Sequence, residues 1–359
     1  MRFEKIRISD FRNISSAEVV TGAEDIVLTG ANGQGKTSFL EAVYNLCYGS
    51  SFRTAHLKEE IKYGSDSFFI SGEYVNEYGE SESVNLGFGH GKRVITVGGR
   101  EIKDRKELIY LFPCIAFVHS DIDFVKGDPE TRRRFFDQMM SLHSPAFFDE
   151  LRMYRAILSQ RNAALKLNDR QLAHIYDKRL IRLGLGIMKE RAAAVYDFNQ
   201  LFPPLFSEIS NTDMRIDISY QPSWGSFGKA EEIEQYLVET EERDIKLQTT
   251  TSGIHRDRFT VMSPMGPFQN IGSTGQIRLC SILLRVSEAE YFRKMTGNKP
   301  ILLVDDVLLE LDSEKRAVLL SKLSGYSQAF YTFLPDEKYF AKRRGIGYEV
   351  REGGFSCVE

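Results

Sequence analysis

An eight-residue glycine-rich segment constrains this chain more than any other feature. Residues 30–37 read Gly-Ala-Asn-Gly-Gln-Gly-Lys-Thr, which is the full pattern GxxxxGK[ST]. A short apolar run precedes the segment, and residues 37–48 follow it with apolar side chains spaced as on one face of a helix. A strand, a glycine-rich loop and a helix in this order are typical of a phosphate-binding loop, so the pattern predicts nucleotide binding.

Each part of this loop has a physical role. Glycines let backbone amides crowd around phosphate groups, and the helix N-terminus adds partial positive charge at the same place. We expect the Lys36 ammonium to reach the outer phosphates and the Thr37 hydroxyl to ligate Mg²⁺. The predicted nucleotide-binding residues are Gly30, Ala31, Asn32, Gly33, Gln34, Gly35, Lys36 and Thr37.

A pair of acids supplies the carboxylates that such a loop needs. Asp305 and Asp306 directly follow the apolar run 301–304. Acids often end apolar strands for no catalytic reason, but the loop favours a functional interpretation. We expect Asp305 to hold Mg²⁺ and Asp306 to orient or deprotonate the attacking water.

A third motif, Gly272-Ser273-Thr274-Gly275-Gln276, opens a predicted helix. A serine at a helix start can be an ordinary N-cap. The order of phosphate loop, Ser-x-Gly-Gln and paired acids, however, is that of ABC-type ATPases, in which the serine contacts the γ-phosphate of a nucleotide bound by a second subunit. This order predicts catalytic roles for Ser273 and Gln276, beside Lys36 and Asp306, in an ATP-dependent homodimer with a split site.

The hydrophobic periodicity predicts an α/β protein with mixed sheets and a mainly helical second lobe. Strand patterns occupy residues 1–30 and 67–102, whereas 130–200 is helical with a break at Asn168-Asp169, which indicates a short antiparallel two-helix arm. We divide the chain into a first ATPase part (1–125), a helical arm and second lobe (126–270), and the remainder of the ATPase lobe (271–359).

Composition excludes several protein classes. Apolar residues make up 42% and charged residues 27%, as in folded globular proteins, and the formal charge of −3 excludes a uniformly basic binder. Four widely spaced cysteines without a CxxC pair suggest neither a zinc site nor a disulfide framework, and they predict a cytoplasmic protein with reduced thiols. No apolar stretch is long enough to predict a membrane span.

Charge is nevertheless segregated along the chain. Residues 128–191 carry 13 Lys and Arg against 8 Asp and Glu, and residues 231–244 carry seven acids and one Arg. Such cations can bind DNA phosphates, although basic helices also form solvated faces paired with acids. The candidates for DNA contact are Arg53, Arg132, Arg133, Arg134, Arg161, Lys178, Arg179 and Arg182. No base-reading motif is present, so we expect no sequence specificity.

Over nearly its whole length the sequence resembles the RecF family of recombination-mediator ATPases, relatives of SMC-type heads that lack the long coiled coil. Two matching segments are distinctive to that family, Lys-Gly-x-Pro followed by Arg-Arg at 126–133, and Asp-Asp-Val-Leu followed by Glu-Leu-Asp at 305–312. The remaining matches lie at residues 10–13, 51–54, 134–137, 154–155, 160–163 and 251–257.

The resemblance implies an ABC/SMC-head-like P-loop fold and a role in recombinational DNA repair. Such proteins bind ATP and DNA at single-strand/double-strand junctions, dimerise with ATP, hydrolyse it slowly, and work with RecO and RecR to load recombinase onto gaps. By analogy, Arg12 would lie near the nucleotide. His255 would be a nucleotide-site or dimer-face residue, or a purely structural one. Ile277 and Leu309 depart from the family's usual residues at the presumed dimer face.

Other functions share part of this pattern. The ATPase subunit of an ABC transporter has the same three motifs, but the interval from Lys36 to Asp305 is long for that compact class. A GTPase is disfavoured because residues 298–301, Asn-Lys-Pro-Ile, lack the Asp of a guanine-reading NKxD motif. A scaffold that binds nucleotide and hydrolyses almost none of it stays open.

Overall fold

The computed structural model describes residues 1–76, 78–212, 214–335 and 345–358. Contacts within the chain divide it into two compact units, residues 1–120 with 292–359, and residues 121–291. The sequence predicts that residues 271–291 belong to the ATPase lobe, whereas their contacts group them with the second unit. The phosphate loop and the paired acids therefore belong to the first unit, and Ser273 belongs to the second.

Two six-stranded sheets form the first unit. The antiparallel sheet has the strands β1 (Phe3–Phe11), β2 (Ile14–Val20), β4 (Ser67–Val75), β5 (Ser81–Gly89), β6 (Lys92–Val97) and β7 (Arg100–Glu101), in the order β2-β1-β4-β5-β6-β7. The other sheet has the strands β3 (Asp25–Thr29), β8 (Cys114–Phe117), β12 (Ile301–Val304), β13 (Gln328–Phe333), β14 (Gly345–Arg351) and β15 (Gly354–Val358), in the order β15-β14-β3-β13-β12-β8.

The second of these sheets is parallel except for its edge strand β15. Every residue of β12 and of β13 is buried, as expected for parallel strands covered on both faces. Because β3, β13 and β12 are parallel neighbours, their carboxyl ends lie at one edge of the sheet. The residues that follow these strands are thereby brought together.

Helix α1 (Lys36–Tyr48) packs against both sheets of this unit. The sequence predicted one apolar face, but the helix is buried on nearly every side, and its buried residues include the polar Glu41 and Asn45. Its apolar side chains join the main core of the unit, where Phe39 packs on Phe330 of β13. Two further helices, α2 (Lys106–Leu111) and α11 (Ser313–Lys322), complete the unit.

The second unit is mainly helical, with a three-stranded sheet. Its helices are α3 (Asp123–Lys126), α4 (Pro129–His143), α5 (Pro145–Lys166), α6 (Arg170–Phe198), α7 (Phe202–Ser210), α8 (Ala230–Glu239), α9 (Glu241–Leu247) and α10 (Thr274–Thr296), the last of which ends in the first unit. Its strands, β9 (Asp217–Gln221), β10 (Arg258–Ser263) and β11 (Gly266–Pro267), pair in the order β11-β10-β9.

The predicted two-helix arm is present as α5 and α6, which pack against each other. Asn168 adopts a left-handed conformation between them, and the Asp169 carboxylate accepts a hydrogen bond from the Leu172 backbone at 3.0 Å. A turn residue that tolerates positive φ, followed by an N-cap acid, explains why one helix ends and the next begins here.

Candidate nucleotide site

The phosphate loop connects β3 to α1, in the predicted order. Gly33 and Gly35 have φ of 80° and 120°, a region that side chains with a Cβ rarely enter. Gly35 precedes α1, and no side chain caps the helix. The first amides of α1 are therefore open to an anionic ligand, and the helix dipole favours negative charge there.

The Lys36 side chain is turned inward along this loop and is 4% exposed. Its Nζ donates to the carbonyl oxygens of Gly30 at 2.7 Å and Ala31 at 3.2 Å, and it lies 3.8 Å from Asp306 Oδ2. The ammonium is thus held by loop carbonyls at the centre of the predicted site.

Asp305 follows β12 and accepts a hydrogen bond from the Thr37 hydroxyl at 2.9 Å. This contact brings together the two side chains that the sequence assigns to Mg²⁺. Burial raises the pKa of Asp305 to about 6, with a smaller contribution from the neighbouring Asp306 charge, while the Thr37 hydrogen bond opposes the increase. A carboxylate that is costly to leave charged and buried is suited to a site that receives a cation.

Asp306 has a left-handed backbone conformation, with φ of 53°. Thr332 of β13 fixes this turn, since its hydroxyl lies 2.8 Å from both the Asp306 amide and Asp306 Oδ1. The Asp306 carboxylate is 32% exposed, far more than the Lys36 side chain beside it, and so it can reach solvent. Thr332 was not identified from sequence; the available signal was a threonine next to the carboxyl end of a largely apolar strand.

Asn13 is a second residue that the sequence analysis missed. Its amide nitrogen donates to the Gly33 carbonyl at 3.1 Å, and its amide oxygen accepts from the Ser38 hydroxyl at 2.8 Å. It therefore braces the phosphate loop from the turn between β1 and β2. On another side of the loop, the Gln34 carbonyl accepts from the Gly353 amide at 2.8 Å.

Arg12 lies beside α1, where its guanidinium bonds both oxygens of the buried Glu41 at 2.6 and 3.0 Å and the Glu59 carbonyl at 2.5 Å. Contact with a nucleotide stays a prediction for Arg12, whose guanidinium has two N–H donors beyond these three bonds. Glu41 also accepts from Arg53 at 3.2 Å and from the Ser51 hydroxyl. Glu41 thus ties the 51–53 segment to the phosphate-loop helix.

Ser273 and Gln276 form a capping box at the start of α10. The Gln276 side chain accepts from the Ser273 amide at 2.9 Å, and the Ser273 hydroxyl accepts from the Gln276 amide at 3.3 Å. Ser273, Thr274 and Gly275 are exposed. The helix start is therefore both locally rigid and open to a second molecule.

Ile277 needs a correction. The sequence predicts that Ile277 lies at the presumed dimer face, but its side chain is 1% exposed and lies beside Gly272 of the second unit. An apolar residue suits this buried position one turn into α10. Leu309 is half-buried.

His255 has a structural environment. Its two ring nitrogens lie 2.9 Å from the Tyr154 hydroxyl and 2.9 Å from the Thr250 carbonyl. Because the carbonyl can only accept, Nε2 carries the proton and the Tyr154 hydroxyl donates to Nδ1. Burial lowers the pKa of His255 to about 4, so the ring is neutral at pH 7.

The cations predicted to contact DNA fall into three groups. Lys178, Arg179 and Arg182 on α6 are exposed, as are Arg134 and Arg53. Arg133 is half-buried, and its guanidinium donates to the Asp257 carbonyl at 2.8 Å. Arg132 is 8% exposed and donates to Gln269 at 2.7 Å, which argues against its predicted DNA contact because its guanidinium faces inward.

Arg161 is the clearest correction in this set. Its side chain is 1% exposed and donates to Asp177 at 2.6 Å, to Asp244 at 2.7 Å and to the Thr250 hydroxyl at 2.9 Å. The guanidinium lies in the interior of the second unit, where DNA cannot reach it. Its role is to join the arm helices to α9.

Replacing Arg161 with alanine should lower the free energy of unfolding by about 3–5 kcal/mol, because two buried carboxylates lose their cation. Urea unfolding followed by circular dichroism measures this change. Arg179→Ala on the exposed face of α6 is the matched control and should stay within about 0.5 kcal/mol of wild type. An Arg161→Ala protein as stable as the control would show that the ion pairs contribute nothing.

The described residues include no helix that is long and apolar enough to cross a membrane. Within the same residues, no group of three or more His, Cys, Asp or Glu side chains could hold a metal ion. A cation at Thr37 and Asp305 would therefore need further oxygen ligands, such as those of a bound phosphate.

Comparison with known proteins gives consistent relatives. The chain is 36% identical to the DNA replication and repair protein RecF of Treponema pallidum over 98% of this chain and 99% of that protein. It is 30% identical to RecF of Leptospira interrogans (serovar Lai) over 92% of this chain and 91% of that protein. No family model matches the sequence.

Solved structures agree with these relatives. The structure described as the recombination mediator protein RecF-ATP in the RecFOR pathway superposes with a TM-score of 0.89 at 27% identity, covering 99% of this chain and 97% of that one. An Smc head bound to the C-terminal winged-helix domain of ScpA superposes with a TM-score of 0.58 at 14% identity over 100% of this chain and 97% of that one, a likeness of fold alone. The predicted ABC/SMC-head-like α/β fold is confirmed.

Proposed function

The chain belongs to the RecF family of DNA replication and repair proteins, and from this premise we propose how its nucleotide site works. The protein is an ATPase of recombinational DNA repair. The observation that carries the mechanism is the close approach of the phosphate loop to Asp305 and Asp306. The loop follows β3 and the two acids follow β12, and these strands lie on either side of β13. Two segments that are far apart in sequence supply one site, and Thr332 of β13 between them holds Asp306.

ATP would bind with its phosphates on the loop amides and on Lys36. Thr37 and Asp305 offer hard oxygen donors 2.9 Å apart, which suits Mg²⁺, and this ion would supply charge neutralisation at the phosphates. Asp306 would accept a proton from the attacking water or orient it, since its carboxylate is fixed by Thr332 and reaches solvent.

The site is proposed to be completed by a second molecule. Ser273 is exposed at a capped helix start, where backbone amides and the hydroxyl can meet a γ-phosphate. An ATP-bound homodimer would then hold two nucleotides between its subunits, and hydrolysis would release it. Arg53, Arg133, Arg134, Lys178, Arg179 and Arg182 remain as proposed contacts to DNA phosphates, and RecO and RecR as proposed partners.

The test is a DNA titration by fluorescence anisotropy on gapped, duplex and single-stranded oligonucleotides, each at several salt concentrations with ATP or ADP. We expect ATP to tighten binding to gapped DNA about tenfold over ADP, and the affinity to fall steeply with salt because phosphates are neutralised. Equal affinity with both nucleotides would contradict nucleotide control of DNA binding. If ATP controls DNA binding but no hydrolysis is measurable, the protein would instead be a nucleotide-binding scaffold.

A further inference from the structure

A groove on the first unit, outside the nucleotide site, has the chemistry of a nucleic-acid site. It measures about 670 Å³. It lies between residues 58–66, which begin within the short 3-10 helix Leu57–Glu60, and the turn between β5 and β6. Its lining includes the buried Phe88, the half-buried Ile61 and Lys62, and the exposed Lys58 and Tyr63. This volume is sufficient for a nucleotide.

Tyr63 is the most unusual side chain of the groove, because it is fully exposed at 100%. Its ring therefore covers no part of the core and contributes no burial to folding. An aromatic ring presented this way beside a basic groove is a typical stacking platform for an unpaired base.

The cations of the groove are also unusual. Within the described residues, neither Lys58 nor Lys62 has an ion-pair partner, whereas Arg7 of β1 in the same unit pairs with both Glu18 and Glu73. One carboxylate, Asp66, lines the groove, and His90 lies at its other side. Two ammonium groups without acidic partners are thus available for phosphates.

The backbone beside these side chains is open. Gly64 and Gly91 adopt φ of 89° and 75°, and a Cβ at either position would meet no atom within 4 Å. A ligand can therefore approach the main chain on both sides of the groove.

Backbone hydrogen bonds connect the groove to the turn at residues 10–13, which contacts the phosphate loop. The Lys62 amide donates to the Asp10 carbonyl at 2.8 Å, the Arg12 amide donates to the Glu60 carbonyl at 2.7 Å, and Phe11 pairs with Ile61 in an isolated β-bridge. Asn13 of the same turn bonds Gly33 of the loop at 3.1 Å. The four consecutive residues 10–13 thus contact both the groove segment and the phosphate loop.

We propose that this groove binds a single-stranded DNA segment, with an unpaired base stacked on Tyr63 and neighbouring phosphates on Lys58 and Lys62. The inference rests on the proposed function and names one contact surface for it. A single strand is favoured over a duplex because only unpaired bases offer a face to a stacking ring. An acidic peptide would use the lysines without needing the ring.

The test compares Tyr63→Ala, Tyr63→Phe and the double variant Lys58→Ala/Lys62→Ala by anisotropy on single-stranded, gapped and fully duplex oligonucleotides with ATP. Tyr63→Ala should weaken binding to single-stranded and gapped DNA about tenfold and leave the duplex unchanged, and Tyr63→Phe should behave as wild type. The double lysine variant should reduce the salt slope on the single strand by roughly 1.4, from about 0.7 per lost phosphate contact.

Tyr78 and Lys103 provide matched controls. Tyr78 is 79% exposed and follows the far end of β4, a nine-residue strand about 30 Å long that begins four residues after Tyr63. Tyr78→Ala and Lys103→Ala should bind every DNA as wild type does. All variants should retain wild-type binding of a fluorescent ATP analogue, because none lies in the phosphate loop.

Photocrosslinking gives a direct readout. A 5-iodouracil single strand should crosslink to Tyr63, identified by mass spectrometry of the full chain. If wild type binds gapped DNA while both groove variants bind it equally well, or if crosslinks lie only elsewhere, the groove assignment is overturned and the proposed function stands. If wild type binds no DNA with any nucleotide, both are overturned together.

Discussion

Lys36→Ala should reduce ATP affinity about a hundredfold. The ammonium is the one cation enclosed by the phosphate loop, and truncating one partner of a buried charge contact costs about 2–5 kcal/mol or more. Lys36→Arg should fail as well, because a planar guanidinium cannot replace a compact ammonium between the Gly30 and Ala31 carbonyls. Titration with a fluorescent ATP analogue measures the loss.

The control for this experiment is Lys103→Ala, an exposed lysine of the same unit, which should bind ATP as wild type does. Thermal unfolding of each variant separates lost binding from lost folding. If Lys36→Ala bound ATP within threefold of wild type, the loop would not be the phosphate site. Asp305→Asn tests the cation ligand in the same assay and should lose the Mg²⁺ dependence of binding.

Asp306→Asn should hold the protein as an ATP-bound dimer. Asparagine keeps an oxygen for the Thr332 hydroxyl, so the turn is preserved, but it cannot take a proton from water. Loss of a general base slows the chemical step by about 10²–10⁴-fold. Light scattering should then show a long-lived dimer with ATP and a monomer with ADP.

Wild type with ATP is the reference for the lifetime of that dimer. Its dimer should decay as ATP is consumed, while the Asp306→Asn dimer persists. If both decay at the same rate, Asp306 does not act on the water.

The sequence predicted the parts of the site that lie in contiguous motifs. The loop from Gly30 to Thr37 has its chemistry in adjacent residues, and Asp305 is marked by the strand before it. Asn13 and Thr332 were missed because they reach the site through tertiary contacts. Asn13 lies in the turn between β1 and β2, and Thr332 lies in β13, between β3 and β12. Such residues have no fixed spacing to the motif that they support.

The same reasoning explains the errors among the cations. Arg161 and Arg179 are 18 residues apart in a basic region and are indistinguishable by composition. The structure distinguishes them because Arg161 is buried against two acids, Asp177 of α6 and Asp244 of α9. Asp244 is distant in sequence, so its pairing with Arg161 could not be predicted from spacing. Conversely, Tyr63 and Lys62 lie outside the basic region. Tyr63 is distinguished by its full exposure, and Lys62 by having no ion-pair partner among the described residues.

The split site is the central claim, and a mixing experiment in the Asp306→Asn background tests it most directly. One variant adds Lys36→Ala and cannot bind ATP. The other adds Ser273→Asp, which keeps a good N-cap for α10 but places a carboxylate against the γ-phosphate. Each alone should be a monomer with ATP.

When the two variants are mixed with ATP, light scattering should detect dimers. The Ser273→Asp molecule still binds ATP on its phosphate loop, and the intact Ser273 of the Lys36→Ala molecule can contact that ATP. This recovery requires that one molecule seals the nucleotide of its partner. A mixture that stays monomeric while the Asp306→Asn parent dimerises, or a Ser273→Asp variant that dimerises alone as well as its parent, would contradict the account.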